Sequence, residues 1–515
     1  VREPIEEFLE DNGPALSSEV ATYLVEHLEM SPVAARKRVS RAAGDVRRLS
    51  GITFPHKARF LYLQQQFGSP WYWEHLIDAL VATRSAYGYA LAALRQRGGI
   101  VPARQFPIVC GAPVKQARQL SPDTVFQRLS EAGLLTKVMA PGVGECVALV
   151  QAQGYYDSNA ELMRARLVTE EILLTAVSDW LKKLGIVSYG KVATRTGQLL
   201  PKIGTFVWDL SAPCYLGHMV RQGADGKPKP GFVACDVYLG EDMTAAGVMP
   251  FLRKCVMLRS LRKVGPCMQL LVAKRFEHDA FQLLKQYGVI PATPANLFGD
   301  EVAEGLNQLT TVLHNAALAV IDPAQFDELF SKLGKIEGAA IQLRGTLFEY
   351  LAAEIARRTI SPDVKMNRLF KVADKGEAEA DVVAVHNHHA ITAIECKGYS
   401  PWSTIPDALF ERWLHHNVPI CFREIKQHPD WKTLDVHFEF WATAPLSDKA
   451  MALFTKAKKT VKPTRYSLEL RLGPDLHALC KKIKDPSLLT AFEKHFMKPE
   501  KAPPLAPKAQ EAVLF

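Results

Sequence analysis

Asp381, Glu395 and Lys397 are the residues of this chain whose types and spacing could do chemistry together. They lie in two largely apolar stretches, Glu377–Val385 and Ala390–Gly398, separated by the polar run His386-Asn387-His388-His389. Val382, Val383, Val385, Ile391 and Ile394 mark both stretches as strands, and the polar run marks the turn between them. A hairpin centred on residue 388 places Asp381 opposite Glu395, and two-residue alternation puts Glu395 and Lys397 on one face. Cross-strand partners sit roughly 5 Å apart, so two carboxylates and one ammonium converge. A slip of one residue would send Asp381 to the other face.

Two neighbouring carboxylates repel an approaching phosphate unless a cation intervenes. Hard oxygen ligands of this kind suit Mg²⁺ or Mn²⁺. Such a metal lowers the pKa of a bound water and polarises a phosphate, while Lys397 can orient or activate that water and offset developing charge. The backbone carbonyl of Cys396, between the two side chains, is a further candidate ligand. The helix Gly345–Leu351, ahead of the hairpin, brings Glu349 as another. The plain alternative is a solvated Glu-x-Lys ion pair worth under about 1 kcal/mol. The apolar flanks argue against it, because an unpaired charge is costly where the strand is buried. The histidines at 386, 388 and 389, and His415-His416, are read as turn and surface residues rather than metal ligands.

Gly345…Glu349, Glu379-Ala380-Asp381 and Ile394-Glu395-Cys396-Lys397 together resemble the PD-(D/E)XK, or restriction-endonuclease-like, superfamily, and their wording is similar to its Mrr-like and CRISPR-accessory branches. The resemblance covers residues 340–445. It implies an α/β domain with a mixed central sheet, in which Asp381 and Glu395 bind metal, Lys397 is catalytic and Glu349 assists. The sequence departs from the name-giving motif in having Ala380, not proline, before Asp381.

The elements that must position these residues form a multidomain α/β chain. Residues 1–70 read as three helices and a hairpin: Pro4–Glu10, Ser18–Leu28, a third helix opened by Ser31-Pro32, then a β-like stretch Gly51–Gln66. Ala35, Val39 and Ala42 form the third helix's core face, and Lys37, Arg38 and Arg41 its other side. That order is the winged-helix order, in which the third helix enters a major groove. Residues 71–155 hold a helical segment and a second such unit. There Ser121-Pro122 opens a helix with Val125, Phe126 and Leu129 inward and Arg128 outward, and a hairpin turns at Pro141-Gly142-Val143-Gly144. Its ending resembles the winged-helix family, and protein docking is the alternative role for both units. Lys37, Arg38, Arg41, Arg128, Lys458 and Lys459 are the candidate DNA contacts, the last two in a basic run between Lys456 and Arg465.

Residues 156–296 read as a linker followed by an α/β domain. A helix is expected over Leu162–Leu184, strands at Thr205–Leu210, Phe232–Leu239 and Met268–Lys274, and helices at Thr244–Arg262 and Glu277–Tyr287. The helix–strand order parallels that around Asp381, with Asp209 and Asp236 in the places of Asp381 and Glu395, so this block reads as a degenerate copy of the nuclease-like unit. Two features weaken the parallel: Asp236-Val237-Tyr238 carries no lysine, and 27 residues separate the two aspartates against 14 for Asp381 and Glu395. A helical connector spans 297–336, the nuclease-like domain 337–497, and a disordered tail 498–515. Within the nuclease-like domain Pro406–His416 and Ile420–Gln427 read as helices and Asp435–Thr443 as a strand.

With 515 residues the chain is too long for one core. The excess of 63 Lys+Arg over 54 Asp+Glu permits a polyanionic partner without requiring one. Nine cysteines without a C-x-x-C pair argue against zinc ribbons and disulfide frameworks and suit a reducing, cytoplasmic compartment. No apolar run reaches 18 residues, so no membrane span is expected. The residues together point to a Mg²⁺- or Mn²⁺-dependent endonuclease acting on DNA, with a role in restriction or phage defence by family analogy, working as a homo-oligomer or with a partner protein. An inert nuclease fold acting as DNA-binding regulator or scaffold, and an RNA-cutting enzyme, are the other readings.

Overall fold

Serine–proline pairs start three of the N-terminal helices. The hydroxyls of Ser31, Ser69 and Ser121 accept the backbone N–H groups of Ala34, Tyr72 and Thr124 at 3.3, 3.1 and 3.2 Å, and the proline that follows needs no partner for a missing N–H. The computed structural model describes residues 3–497 apart from 53, 141, 151–155, 223–226, 318–324, 335–338, 373–375, 387–388 and 463–464. The tail 498–515 and the tip of the Asp381 hairpin therefore lie outside the described residues. The chain divides into two compact units, Val1–Ala303 and Glu304–Phe515. It is a multidomain α/β protein with mixed sheets.

The first unit opens with α1 (Pro4–Asn12), β1 (Ala15–Leu16), α2 (Ser17–Leu28), α3 (Pro32–Arg41), β2 (Val46–Arg48) and β3 (Phe60–Leu63), with β3 central in the sheet order β1-β3-β2. After α4 (Pro70–Ala82) the pattern repeats. It runs α5 (Ala86–Gln96), β4 (Ile100–Pro102), α6 (Phe106–Val109), α7 (Pro122–Glu131), β5 (Leu135–Ala140) and β6 (Gly144–Leu149), in order β4-β6-β5. The first hairpin differs from expectation: its strands are 46–48 and 60–63, not one stretch over 51–66. Arg48 explains the earlier start, since its guanidinium is turned inward to the carbonyls of Val39, Ser40 and Ala42 at the end of α3.

The unit continues with α8 (Tyr156–Lys183), which begins where a linker was expected, and with β7 (Ala193–Thr194). A small ladder follows, β8 (Lys202–Ile203) with β9 (Phe206–Val207), then β10 (Leu210–Cys214) and a second small ladder, β11 (Arg221–Gln222) with β12 (Pro228–Lys229). Then come β13 (Gly231–Tyr238), α9 (Ala245–Arg259), β14 (Cys267–Ala273), α10 (His278–Gln286), β15 (Ile290–Ala292) and α11 (Pro294–Phe298), and α12 (Asp300–Ala317) runs on across the boundary into the second unit. The five-stranded sheet has order β15-β14-β13-β10-β7, antiparallel through β7, β10 and β13 and parallel from β13 to β15.

The second unit runs α13 (Gln325–Leu333), α14 (Ala339–Thr359), β16 (Val364–Val372), β17 (Gly376–His386) and β18 (Ala390–Lys397). α15 (Asp407–Arg412), a π-helical turn at Trp413–Asn417 and α16 (Val418–Gln427) follow, then β19 (Asp435–Ala442), α17 (Asp448–Thr460), β20 (Ser467–Arg471), α18 (Gly473–Ile483) and α19 (Pro486–Phe492). The sheet order is β16-β17-β18-β19-β20, antiparallel through β18 and parallel beyond it. One face buries Val383, Val385, Ile391, Ala393, Phe438 and Phe440 under α15–α17. α14 packs against β16, β17 and β18 with Leu347, Phe348, Leu351 and Ile355 fully buried. Where a break was expected at Pro419, the helix runs on. The π turn just before it widens the helix where the N–H that proline lacks would be missed.

The nine cysteines are free thiols, and among the described residues no helix is long and apolar enough to cross a membrane.

Gly398 fixes how closely α14 approaches the sheet. A Cβ there would stand 2.5 Å from the Phe348 Cβ and 2.6 Å from the Arg344 carbonyl oxygen, whereas a Cβ on Gly345 would meet nothing within 4 Å. Gly398→Ala should therefore destabilise the second unit by about 1–3 kcal/mol by overpacking. Gly345→Ala should stabilise it by about 0.5–1 kcal/mol through helix propensity. Urea unfolding of the two variants checks this pair of opposite signs, and equal effects would contradict it.

Candidate active site

The β17–β18 ladder pairs His386 with Ala390 at its tip and Val382 with Ile394 at its far end, which is a hairpin centred on residue 388. Asp381 and Glu395 stand one step beyond the last pair, where the two strands part. On its other side Asp381 also loses its strand partner. β16 pairs Met366 with Val382 and Arg368 with Ala380, skipping Asn367, whose φ of 53° is left-handed. Alternation along β17 is interrupted at the same place, since Ala378 and Ala380 share a core with Val383 and Val385. The sheet thus opens at one point, and the carboxylates occupy it.

Three sequence-predicted residues meet there. The Lys397 ammonium lies 2.7 Å from Glu395 Oε1 and 3.6 Å from Asp381 Oδ2, and donates to the Cys396 carbonyl at 2.9 Å. Asp381 Oδ2 accepts the backbone N–H of Cys396 at 2.6 Å, which ties the carboxylate to the opposite strand. The end of β18 is held in turn by Thr443, whose N–H donates to the Lys397 carbonyl at 3.1 Å. The three side chains retain 15%, 12% and 18% of their exposure for Asp381, Glu395 and Lys397, so the cluster is largely but not wholly withdrawn from water.

Burial, and then the neighbouring Asp381, push the Glu395 carboxyl above the ordinary glutamate range, against the pull of Lys397 and Asn417. Burial opposes the Lys397 ammonium, yet Asp381 and Glu395 outweigh it and hold its pKa above that of a free lysine. Lys397 is therefore a proton-bearing donor here. The Cys396 thiol is pushed well up by burial, then by Asp381 and Glu349, so only its carbonyl is suited to a cation. Glu349, half-buried on α14, lies close enough to act on that thiol.

Asn417 was not anticipated. It ends the π turn and donates its Nδ2 to Glu395 Oε2 at 3.1 Å, while its Oδ1 is buried without a hydrogen-bond partner. A π turn inside a helix is a common mark of a functional position, but nothing in the sequence around His415-His416-Asn417 signals one.

The donor set fits a hard divalent cation. Two carboxylates face one ammonium, and an orphaned amide oxygen stands beside them. Among the described residues no group of three or more His, Cys, Asp and Glu side chains forms a complete metal cage. The protein would supply Asp381, Glu395 and the Cys396 carbonyl, and water or substrate oxygens would complete the shell, as is usual for Mg²⁺.

The predicted DNA contacts lie elsewhere. Lys37 and Arg41 are exposed on α3, and Arg38 pairs with Glu3 at 3.7 Å. Arg128 donates to the Tyr87 hydroxyl at 2.9 Å. Lys458 pairs with Glu469 at 2.8 Å, while Lys459 is exposed on the last turn of α17.

No protein-family model matches the sequence, and no curated protein matches it. Among solved structures, that of the restriction endonuclease FokI is similar at a TM-score of 0.21 and 11% identity, over 90% of this chain and 79% of that one.

The raised Glu395 carboxyl sets the sign of one measurable effect. The folded protein takes up this proton before the unfolded chain does, so ionising Glu395 as pH rises past the unfolded glutamate value costs stability. Asp381→Asn removes the second-largest cause and should shift the Glu395 titration midpoint downward, followed by carboxyl ¹³C NMR. An unchanged midpoint would mean that the two carboxylates do not act on one another.

Proposed function

We propose that the chain is a metal-dependent nuclease that hydrolyses DNA phosphodiester bonds at Asp381, Glu395 and Lys397. The observation that carries this reading is the convergence of two carboxylates and one protonated lysine where the β17–β18 ladder opens, with negative charge in excess. A bound Mg²⁺ or Mn²⁺ would polarise the phosphate and lower the pKa of a water. Asp381 and Glu395 would hold that cation, and the N–H of Cys396 keeps Asp381 tied to the opposite strand. Lys397 keeps its proton while both carboxylates are ionised, so it donates hydrogen bonds to the phosphate and offsets the charge that grows on it. Asn417, in the π turn between α15 and α16, holds Glu395 in place.

Delivery to DNA falls to the N-terminal units in this reading. The element order α1-β1-α2-α3-β2-β3 with β3 central, repeated from α5 to β6, supports winged helices. The exposed Lys37 and Arg41 put basic charge on the helix that would face a groove. Glu349 assists from α14.

Cleavage of plasmid, linear and single-stranded DNA, with matched RNA, is the test. Asp381→Ala and Glu395→Ala should abolish cutting, Lys397→Ala should lower it by roughly 10²–10³-fold, and EDTA should stop it, with Mn²⁺ able to replace Mg²⁺. Cutting by Lys397→Ala at the wild-type rate, or in EDTA, would refute the reading. Cutting of RNA alone would move the substrate, and metal-independent DNA binding without any cutting would favour an inert scaffold.

Lys37→Ala and Arg41→Ala should each weaken DNA binding and reduce the salt slope by about one unit for each phosphate left without its cation. Unchanged affinity and slope would make α3 a docking surface.

A further inference from the structure

The sheet of the first unit follows the same path as the sheet that carries Asp381 and Glu395. In each, a long helix (α8 or α14) leads into an edge strand, two antiparallel strands, a helical crossover, a parallel strand, a second helix and a last parallel strand. The orders β7-β10-β13-β14-β15 and β16-β17-β18-β19-β20 correspond strand for strand, with the same change from antiparallel to parallel.

The correspondence extends to single hydrogen bonds. The last pair of the β10–β13 ladder is Leu210 with Cys235, and Asp209 and Asp236 stand one step beyond it. Asp381 and Glu395 stand one step beyond Val382 and Ile394 in the same way. Asp209 Oδ2 accepts the N–H of Val237, the residue after Asp236, at 2.9 Å, and Asp381 Oδ2 accepts the N–H of Cys396, the residue after Glu395. The wider spacing of the two aspartates in sequence is taken up by residues 215–230, which hold the β11–β12 ladder. The lysine that Asp236-Val237-Tyr238 lacks is present after all, supplied from α9 as Lys254.

We propose that this unit is a second copy of the one bearing Asp381 and Glu395, and that its carboxylate site is closed, with Arg166, Arg195 and Lys254 fixed where a dissociable cation would otherwise sit. Lys254 pairs with Asp236 and donates to the Val207 carbonyl at 3.1 Å. Arg195 joins Asp209 at 3.0 Å to Glu170 of α8 at 2.8 Å, and Arg166 lies 3.5 Å from Glu170. Three carboxylates thus face three cations in direct contact, against two carboxylates and one cation at Asp381. The two aspartates, Glu170 and the three cations are all buried, Lys254 at 1% exposure, so no phosphodiester reaches them. The cluster fastens α8 and α9 to the sheet, and Glu170 also accepts the N–H of Leu239 at 3.0 Å. The charges match in number and are sealed, although the Nε–H groups of Arg166 and Arg195 find no hydrogen-bond acceptor, and such a cluster is a structural device.

The test is Mn²⁺ binding by the full chain, read by electron paramagnetic resonance beside thermal unfolding. Asp236→Asn combined with Lys254→Met should fold and bind as much Mn²⁺ as the wild type. Lys254→Met alone leaves Asp209, Asp236 and Glu170 in excess. It should lower the melting temperature and gain one Mn²⁺ per chain, with Mn²⁺ restoring part of the lost melting temperature. Loss of a Mn²⁺ equivalent in the folded double variant would overturn the proposal, because the site would then be open. So would a Lys254→Met protein that gains no Mn²⁺ and is not restored by it. These comparisons do not depend on cleavage: failure of Asp381→Asn/Glu395→Gln to lose Mn²⁺ would count against the nuclease reading and leave this one standing.

Discussion

Two carboxylates facing one another across a pair of strands, mostly out of water, repel. At a strand-pair separation of roughly 5 Å and an effective dielectric near 20, that repulsion is about 3 kcal/mol. The second unit is arranged around its relief. The β17–β18 ladder opens at Asp381 and Glu395, and Asp381 is left without a partner on β16 as well. A backbone N–H fixes Asp381, an amide from a π turn fixes Glu395, and the ammonium of Lys397 reaches both. The relief is partial. What remains is an excess of negative charge in a place still open to solvent, and that excess is what a divalent cation would satisfy. Gly398 belongs to the same arrangement, because the close approach of α14 that brings Glu349 near Cys396 depends on its missing side chain.

The first unit meets the same constraint with the opposite outcome. There the cations are side chains, as many as the carboxylates, and the cluster is sealed. A charge group whose cations match its carboxylates holds helices to a sheet, while one left short of a cation is poised to take one. The difference rests on Arg166, Arg195 and Lys254 and not on the order and direction of the strands, which are the same in both.

The hairpin was legible because every signal agreed: β-branched residues on both sides, a polar tip, and Glu395 and Lys397 two residues apart. The two edge strands of that sheet were not. Val364–Val372 carries Lys365, Arg368 and Lys371 with Asn367 in its middle, a pattern without a clear strand signal, yet it pairs along most of its length with β17. Ser467–Arg471 is short and charged for the same reason, since both are edge strands. Asn417 is 22 residues from Glu395, beside two histidines and a proline that suggested the end of a helix. Lys254 sits in an apolar helix, where a lysine's partner cannot be read without the sheet beneath it. At the N-terminus, Arg48 caps α3, a role visible only once the carbonyls at the end of that helix are placed.

The most direct measurement of the central claim is anomalous X-ray diffraction from crystals of the full chain soaked in Mn²⁺. The account predicts a Mn²⁺ peak at the carboxylates of Asp381 and Glu395, and none at Asp209 and Asp236. A peak at the second pair, or none at the first, would contradict it.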